Sequence, residues 1–454
     1  MMYNIRLTIL IPIGYGREDK GNLWPALDTL ARDCPERHAK PRVFPAEWRS
    51  SAGRRKTREE FLMFTKLAGA PARLGRNVIG LSVAGLIAAA SGPAAAQEAS
   101  STIETADLGA VYALTGPVAI YSTTIQNALK MALEDVNGMD GPKLDIALED
   151  DRSNKNDAIN VYQKFIQRDQ KLLIFGPLIG SQTFAAAPLA QRAGVPVMLT
   201  SVATPGVTDI GDYIFRTSVE SATIIPSTVE AAVDKLGIET VAQIYTNDDQ
   251  FSIGEYEAFD GALTENGVEI LGVETIRTGD VDFSAQLTKI KSLDPDAIVI
   301  SSQGEESVGL MTQARELGID AVFLGGNAFN SSGVLKDAGE AMENAMSATP
   351  WFASQENEAN LEFVKRYREM FDADPDWLAA QTYDAVMIVK QAVDAAGITP
   401  DDGVADARTK LRDALAAIET YDGVLGKIEF TDNGDPVVPG AVLQVKNGKH
   451  ELVE

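Results

Sequence analysis

Cysteine and histidine are almost absent. The 454 residues hold one cysteine, Cys34, and two histidines, His38 and His450. Beyond residue 34 the chain has neither a disulfide nor a thiol nucleophile. His450 stands four residues from the C-terminus, so histidine triads, histidine metal sites and most general-base chemistry have nothing to build on. Gly-x-Ser-x-Gly, Walker and Gly-x-Gly-x-x-Gly signatures are missing as well. Positive charge is short: 40 Lys and Arg face 65 Asp and Glu, a net charge of −25 at pH 7. So acidic a chain does not seek nucleic acid or an anionic membrane. The apolar run at residues 78–90 is too short to span a bilayer.

That run belongs to a targeting signal. Met63 opens a segment with Lys66, Arg73 and Arg76, which leads through the apolar run to Ala94-Ala-Ala96. A basic start, a short apolar core and an Ala-x-Ala exit make a secretory signal peptide over residues 63–96, with cleavage after Ala96 and export to the periplasm. No cysteine follows that point, so no lipid anchor is expected. Residues 1–62 then lie upstream of a signal peptide, where they make no targeting sense. Met63 reads as the true start and 1–62 as a non-native extension, the alternative being a disordered leader. Removing residues 1–96 leaves 358 residues with 25 basic and 57 acidic side chains, net −32. A chain of that length makes two domains.

What is present is a steady alternation of strands and helices. Strand-like runs fall at residues 108–114, 144–148, 172–175, 195–199, 241–245, 270–276, 297–301 and 322–325. Between them lie helical stretches such as Ile125, Leu129, Leu133 and Val136, and residues 158–166 with Ile159, Tyr162, Phe165 and Ile166 on one face. Gly237, Gly267 and Gly318 stand where helix C-caps belong. This order predicts an α/β protein with parallel sheets flanked by helices. Residues 172–175 and 195–199 are buried strands, and Ser181, Thr200, Ser201 and Thr204 sit just past their carboxyl ends. In open α/β sheets ligands bind at that edge, and the free N–H groups of a following helix suit a carboxylate. Ser181 and Thr204 read equally well as helix caps. The acidic pairs Asp150-Asp151 and Asp248-Asp249 end apparent strands and read as solvated.

Four segments resemble one family. Leu114-Thr-Gly-Pro-Val-Ala-Ile-Tyr121 is similar to the first ligand loop of the branched-chain amino-acid-binding (Leu/Ile/Val-type) periplasmic proteins of ABC importers. Residues 176–204 resemble their second and third ligand loops. Gln381-Thr-Tyr-Asp-Ala and the run Gly423-Val-Leu-Gly-Lys-Ile-Glu-Phe resemble the late helix and closing strand. The resemblance runs from residue 103 to the end of the chain. It implies a type I periplasmic-binding-protein fold, two Rossmann-like lobes joined by three hinge crossovers. By analogy lobe one is 103–219 plus 352–428, and lobe two is 220–351 plus 429–454. It also implies a monomer that carries a small solute to an inner-membrane permease, without cofactor, metal or catalytic role.

The site implied by the resemblance pairs Ser181 and Thr204 with the ligand carboxylate, aided by backbone near Val202, and places Tyr121 in the side-chain pocket. The second lobe departs from the pattern. The aromatic residue near the ligand ammonium falls on Phe251, which has no hydroxyl. The acid that pairs with that ammonium falls on Asn327, which has no charge. Either another acid compensates, with Asp249 and Glu305 as the choices, or the ligand is an aromatic or aliphatic carboxylate or an amide with no ammonium. A secreted hydrolase lacks its base, and a receptor-type sensor of the same fold would need a signalling partner.

Overall fold

The structure is a computed structural model that describes residues 102–453; the segment expected to be a signal peptide, 63–96, and the residues upstream of it lie outside the described residues. The first sheet takes its strands from the start of this region: β1 (Thr105–Tyr112), β2 (Lys143–Asp150), β3 (Ile174–Phe175), β4 (Val197–Leu199) and β5 (Ile214–Arg216). Their order is β2-β1-β3-β4-β5 and every pairing is parallel. The connections are α1 (Ser122–Gly138), α2 (Lys155–Gln163) and α3 (Gly180–Ala193). Alternate strand residues feed opposite faces, as the period of two requires. Leu108, Ala110 and Tyr112 join the core beside Ile125 and Leu129 of α1, while Val111, Ile174, Val197 and Leu199 pack with Tyr162 and Ala186 on the other side.

The second sheet follows the same logic. After α4 (Ser221–Leu236) come β6 (Thr240–Thr246), α5 (Gln250–Glu265), β7 (Glu269–Ile276), α6 (Ser284–Leu293), β8 (Ala297–Ser301), α7 (Gly304–Glu316), β9 (Val322–Gly325), α8 (Ser332–Ala338) and β10 (Met346–Thr349). The chain then forms α9 (Glu358–Phe371), α10 (Trp377–Ala395) and α11 (Val404–Ala416), of which α10 packs on α1 of the first sheet. A three-stranded antiparallel piece, β11 (Thr420–Gly423), β12 (Gly426–Phe430) and β13 (Pro436–Val437), leads back to β14 (Ala441–Lys446) and β15 (Lys449–Leu452). The second sheet has the order β15-β14-β10-β9-β8-β6-β7, antiparallel only where β14 meets β10 and β15. The chain thus passes between the two α/β lobes three times: after β5, after β10 and through β12.

The sequence places every strand up to β9 except β5, within a few residues of its bounds. β5, β10 and the C-terminal strands are short or compositionally plain, and their apolar content gave no run to detect. No helix among the described residues is long and apolar enough to cross a membrane.

Polar contacts tie the lobes across the cleft. Asp376, at the start of α10, is 5% exposed. Its Oδ1 accepts the Ala379 N–H at 3.1 Å and the Thr124 hydroxyl of α1 at 3.0 Å. Its Oδ2 accepts the N–H and hydroxyl of Ser332, at the start of α8 in the other lobe, at 2.8 and 2.9 Å.

Candidate functional site

The carboxyl ends of the parallel strands of both sheets converge on one cleft between the lobes. From the first lobe come Tyr121, Leu178, Ile179, Gly180 and residues 201–204; from α10 come Trp377 and Leu378; from the second lobe come Phe251, Gln303 and Ala328. This is the position that the strand-end rule for open α/β sheets assigns to a ligand.

The first-lobe end is polar. Helix α3 begins at Gly180, and the residue before it, Ile179, offers no side-chain cap, so the first N–H groups of the helix point at the cavity without an intrahelical partner. Across from them Thr204, 2% exposed, has a hydroxyl with no partner. The two approach so closely that a Cβ on Gly180 would stand 2.2 Å from Thr204 Oγ1. An unpaired buried hydroxyl costs free energy, and a carboxylate on the cavity side, one oxygen on the hydroxyl and one on the helix end, satisfies both. The remaining hydroxyls are occupied: Thr200 bonds the Tyr112 hydroxyl at 2.8 Å, and Ser201 donates to the Leu178 carbonyl at 2.9 Å.

Arg216 braces this loop from behind. It is 1% exposed, and its Nη1 donates to the Thr204 carbonyl at 3.0 Å and the Val202 carbonyl at 3.4 Å. Its Nε meets Asp435 at 2.6 Å and its Nη2 meets Glu220 at 2.7 Å. Ser218 donates a further 2.7 Å bond to Val202.

Of the six residues expected from sequence, Tyr121, Val202, Thr204 and Phe251 lie on the wall. Asn327 is fully buried next to the wall residue Ala328, and neither its Oδ1 nor its Nδ2 has a partner. Ser181 is half-buried as the second residue of α3, does not cap the helix and is not on the wall; Ser201 is. Tyr121 reaches the second lobe, with its hydroxyl beside the Gly304 backbone N–H, and burial pushes that hydroxyl's pKa far up. Sequence reasoning passed over Trp377 and Gln303. Trp377 follows a helix cap with no periodic partner, so no spacing signal marks it.

Two expectations about acids need correction. Glu305 is exposed on α7 and stands away from the cavity, while its neighbour Glu306 is buried. Each acidic pair turns one member inward: Asp151 and Asp249 are 0% and 4% exposed, while Asp150 is half-buried and Asp248 exposed. The reason is local. Asp151 accepts the Ser153 N–H at 3.0 Å, and Asp249 caps α5 through the Ser252 N–H at 3.2 Å and takes the Gln303 amide at 3.0 Å. In both cases a chain turning after a strand needs a buried acceptor.

A third acid, Glu255, lies one turn along α5 from Phe251 and is 1% exposed. It accepts the Ser221 hydroxyl, and its Oε1 accepts the Asn327 N–H at 3.2 Å; Oε2 has no partner. A Cβ on Gly326 would come within 1.8 Å of that Oε1, so glycine lets the β9 turn close over it. Burial without a cation pushes the Glu255 carboxyl up to about 8. A folded-state value above the unfolded one favours the folded protein while the group is protonated. That contribution is complete below the unfolded value of an ordinary carboxyl and vanishes as pH rises through about 8. Asp151 and Asp384, each raised to about 7 by burial, add to the same slope. Thermal melts from about pH 5 to about pH 9 should therefore show Tm falling. Glu255→Gln, which keeps both accepted bonds, should flatten the fall; an unchanged slope in that variant would refute the assignment.

Comparison with known proteins places the chain. The sequence model described as periplasmic binding protein matches residues 105–449. The chain is 26% identical over 370 residues to the leucine-, isoleucine-, valine-, threonine-, and alanine-binding protein of Pseudomonas aeruginosa, which covers 80% of this chain and 93% of that protein. It is similar to the branched-chain amino acid transporter substrate binding protein LivJ from Streptococcus pneumoniae in complex with isoleucine, with a TM-score of 0.71 and 27% identity over 77% of this chain and 99% of that one. It is also similar to a solute binding protein of an ABC transporter from Rhodopseudomonas palustris BisB5 in complex with 3,4-dihydroxy benzoic acid, with a TM-score of 0.69 and 25% identity over 77% and 95%. Two α/β lobes crossed three times by the chain, a cleft at their facing strand ends and a match through nearly all the described residues lead to one conclusion: the chain belongs to the periplasmic binding protein family.

Proposed function

We propose that this is the extracytoplasmic solute-binding component of an ABC importer, which holds a small carboxylate-bearing solute in the cleft and delivers it to an inner-membrane permease. The observation that carries the reading is the unpaired Thr204 hydroxyl opposite the uncapped start of α3, at one end of an enclosure whose other walls are mostly apolar. The carboxylate lies there, and the apolar arm lies against Tyr121, Phe251, Trp377 and Leu378. Lobe one is 103–219 plus 352–428 and lobe two 220–351 plus 429–454. A solute that touches both lobes only when they are shut shifts the population toward the shut form. The protein works as a monomer in the periplasm, which it reaches through the signal peptide at residues 63–96; N-terminal sequencing of the exported protein checks the cut after Ala96.

A thermal-shift screen tests the binding reading. It sets amino acids, aromatic and aliphatic carboxylates and short amides against sugars and polyamines. A solute that binds the folded state alone adds about 2.7 kcal/mol at roughly 100 times its Kd. The expected result is a clear rise in Tm with at least one carboxylate. A rise confined to solutes without a carboxylate refutes the reading.

A further inference from the structure

We infer that the solute is an aromatic monocarboxylate that carries no ammonium group. This rests on the carboxylate reading above and narrows it. The argument starts from the hydrogen-bonding sense of the enclosure. No wall residue bears a charge. Three unpartnered groups at or beside the wall can donate, the Thr204 hydroxyl, the Trp377 indole N–H and the Asn327 amide nitrogen, and the two that can accept, the Thr204 and Asn327 oxygens, are uncharged. A carboxylate and a ring oxygen bring acceptors to such groups; an ammonium brings three more donors.

None of the acids of the second lobe lines the wall, and each buried one is bonded elsewhere through at least one oxygen, although Glu255 Oε2 and Glu306 Oε2 have no partner. Asp249 holds Ser252 and Gln303, Glu306 takes the Gly279 N–H at 2.9 Å, and Glu255 takes Ser221 and the Asn327 N–H. Burial pushes the Glu255 carboxyl up to about 8 and also raises that of Glu306, so it disfavours a charge on each. A ligand ammonium at the Asn327 end would have uncharged wall groups around it and a neutral amide beside the wall, and a buried charge without a counter-charge is expensive.

The shape adds the ring. Tyr121, Phe251 and Trp377 come from three separate elements and enclose the space beyond Thr204. Aromatic walls favour a flat apolar guest through offset and edge contacts. The Trp377 indole N–H is buried and unpartnered on a wall residue, a donor for an oxygen on such a ring.

Isothermal titration calorimetry on the purified protein with matched pairs decides it. The pairs are phenylalanine against 3-phenylpropanoate and leucine against 4-methylpentanoate, with benzoate and 4-hydroxybenzoate alongside. The expected result is that an aromatic acid binds tightest and that each deaminated acid binds about 100-fold tighter than its amino acid. Asn327→Asp, which puts a carboxylate back beside the wall, should narrow or reverse that ratio. Glu255→Gln should leave the Kd of the best acid within about threefold. Phenylalanine or leucine binding as tightly as its deaminated partner overturns the inference and leaves the carboxylate reading standing. So does a large loss of amino-acid binding in Glu255→Gln. Aliphatic acids binding tighter than every aromatic one overturn the ring assignment. Binding of no carboxylate at all removes the carboxylate reading itself.

Discussion

Arg216→Ala should lower Tm by roughly 10 °C and weaken solute binding at the same time. The side chain is 1% exposed and serves four partners: Asp435, Glu220 and the carbonyls of Val202 and Thr204. Removing one member of a buried ion pair costs about 3–5 kcal/mol, because its partners are left uncompensated. In a protein of this size each kcal/mol moves Tm by a few degrees at most, roughly 2–4 °C. Here two carboxylates would face each other across the vacated space and two loop carbonyls would lose their donor. The loop that carries Thr204 would lose its rear support, so affinity should fall even at temperatures where the variant stays folded. Arg216→Lys should recover little, since one ammonium cannot reproduce a planar fork that addresses both lobes. Calorimetric melts and titration of the same samples check both effects. A Tm within about 2 °C of the parent would show that the cluster contributes little net stability.

Gly180→Ala should abolish binding while sparing the fold. The added methyl would stand 2.2 Å from Thr204 Oγ1 and 2.7 Å from its Cβ, inside the space assigned to the carboxylate. Overpacking of this kind costs about 1–3 kcal/mol of stability. The loss of affinity should be larger, about 100-fold or more, because the charged end of the solute has no other pair of donors to use. The double variant Gly180→Ala with Thr204→Gly separates the two effects: it removes every side-chain atom of the clash, so Tm should recover, while binding should not. Recovery of binding in the double variant would mean that the carboxylate lies elsewhere.

The sequence carried the frame of the molecule and one half of the site. The buried strands announce themselves as apolar runs. The sheet edge that matters follows from where those runs stop, which singles out Thr204; Tyr121 came from the family resemblance alone. Ser181 shows the limit. A serine just past a strand end looks the same whether its side chain or only its backbone faces the ligand, and here Ser201 takes the wall position. The second lobe was harder to read because its chemistry is a matter of burial. Nothing in Gln250-Phe-Ser-Ile-Gly-Glu255 says that the last acid is sealed under the β9 turn; that depends on Gly326, some seventy residues away, making room for it. Asp151 and Asp249 were misread for the same reason, since pairs of acids in an acidic chain give no sign of which member turns inward. Trp377 reaches the wall from the far end of the chain, and distance along the sequence hid it.

Asp376 limits how such a pocket can change. One carboxylate starts the helix that carries Trp377 and Leu378 to the wall and also joins that helix to the opposite lobe through Ser332. Its bonds go to the Thr124 and Ser332 hydroxyls and to backbone N–H groups and ask nothing of the side chains at 377 and 378. Positions 377 and 378 are therefore free to drift, and a descendant of this protein, natural or engineered, can exchange one guest for another by altering them without rebuilding the hinge. Position 376 has no such freedom, because any substitution there disturbs recognition and movement together.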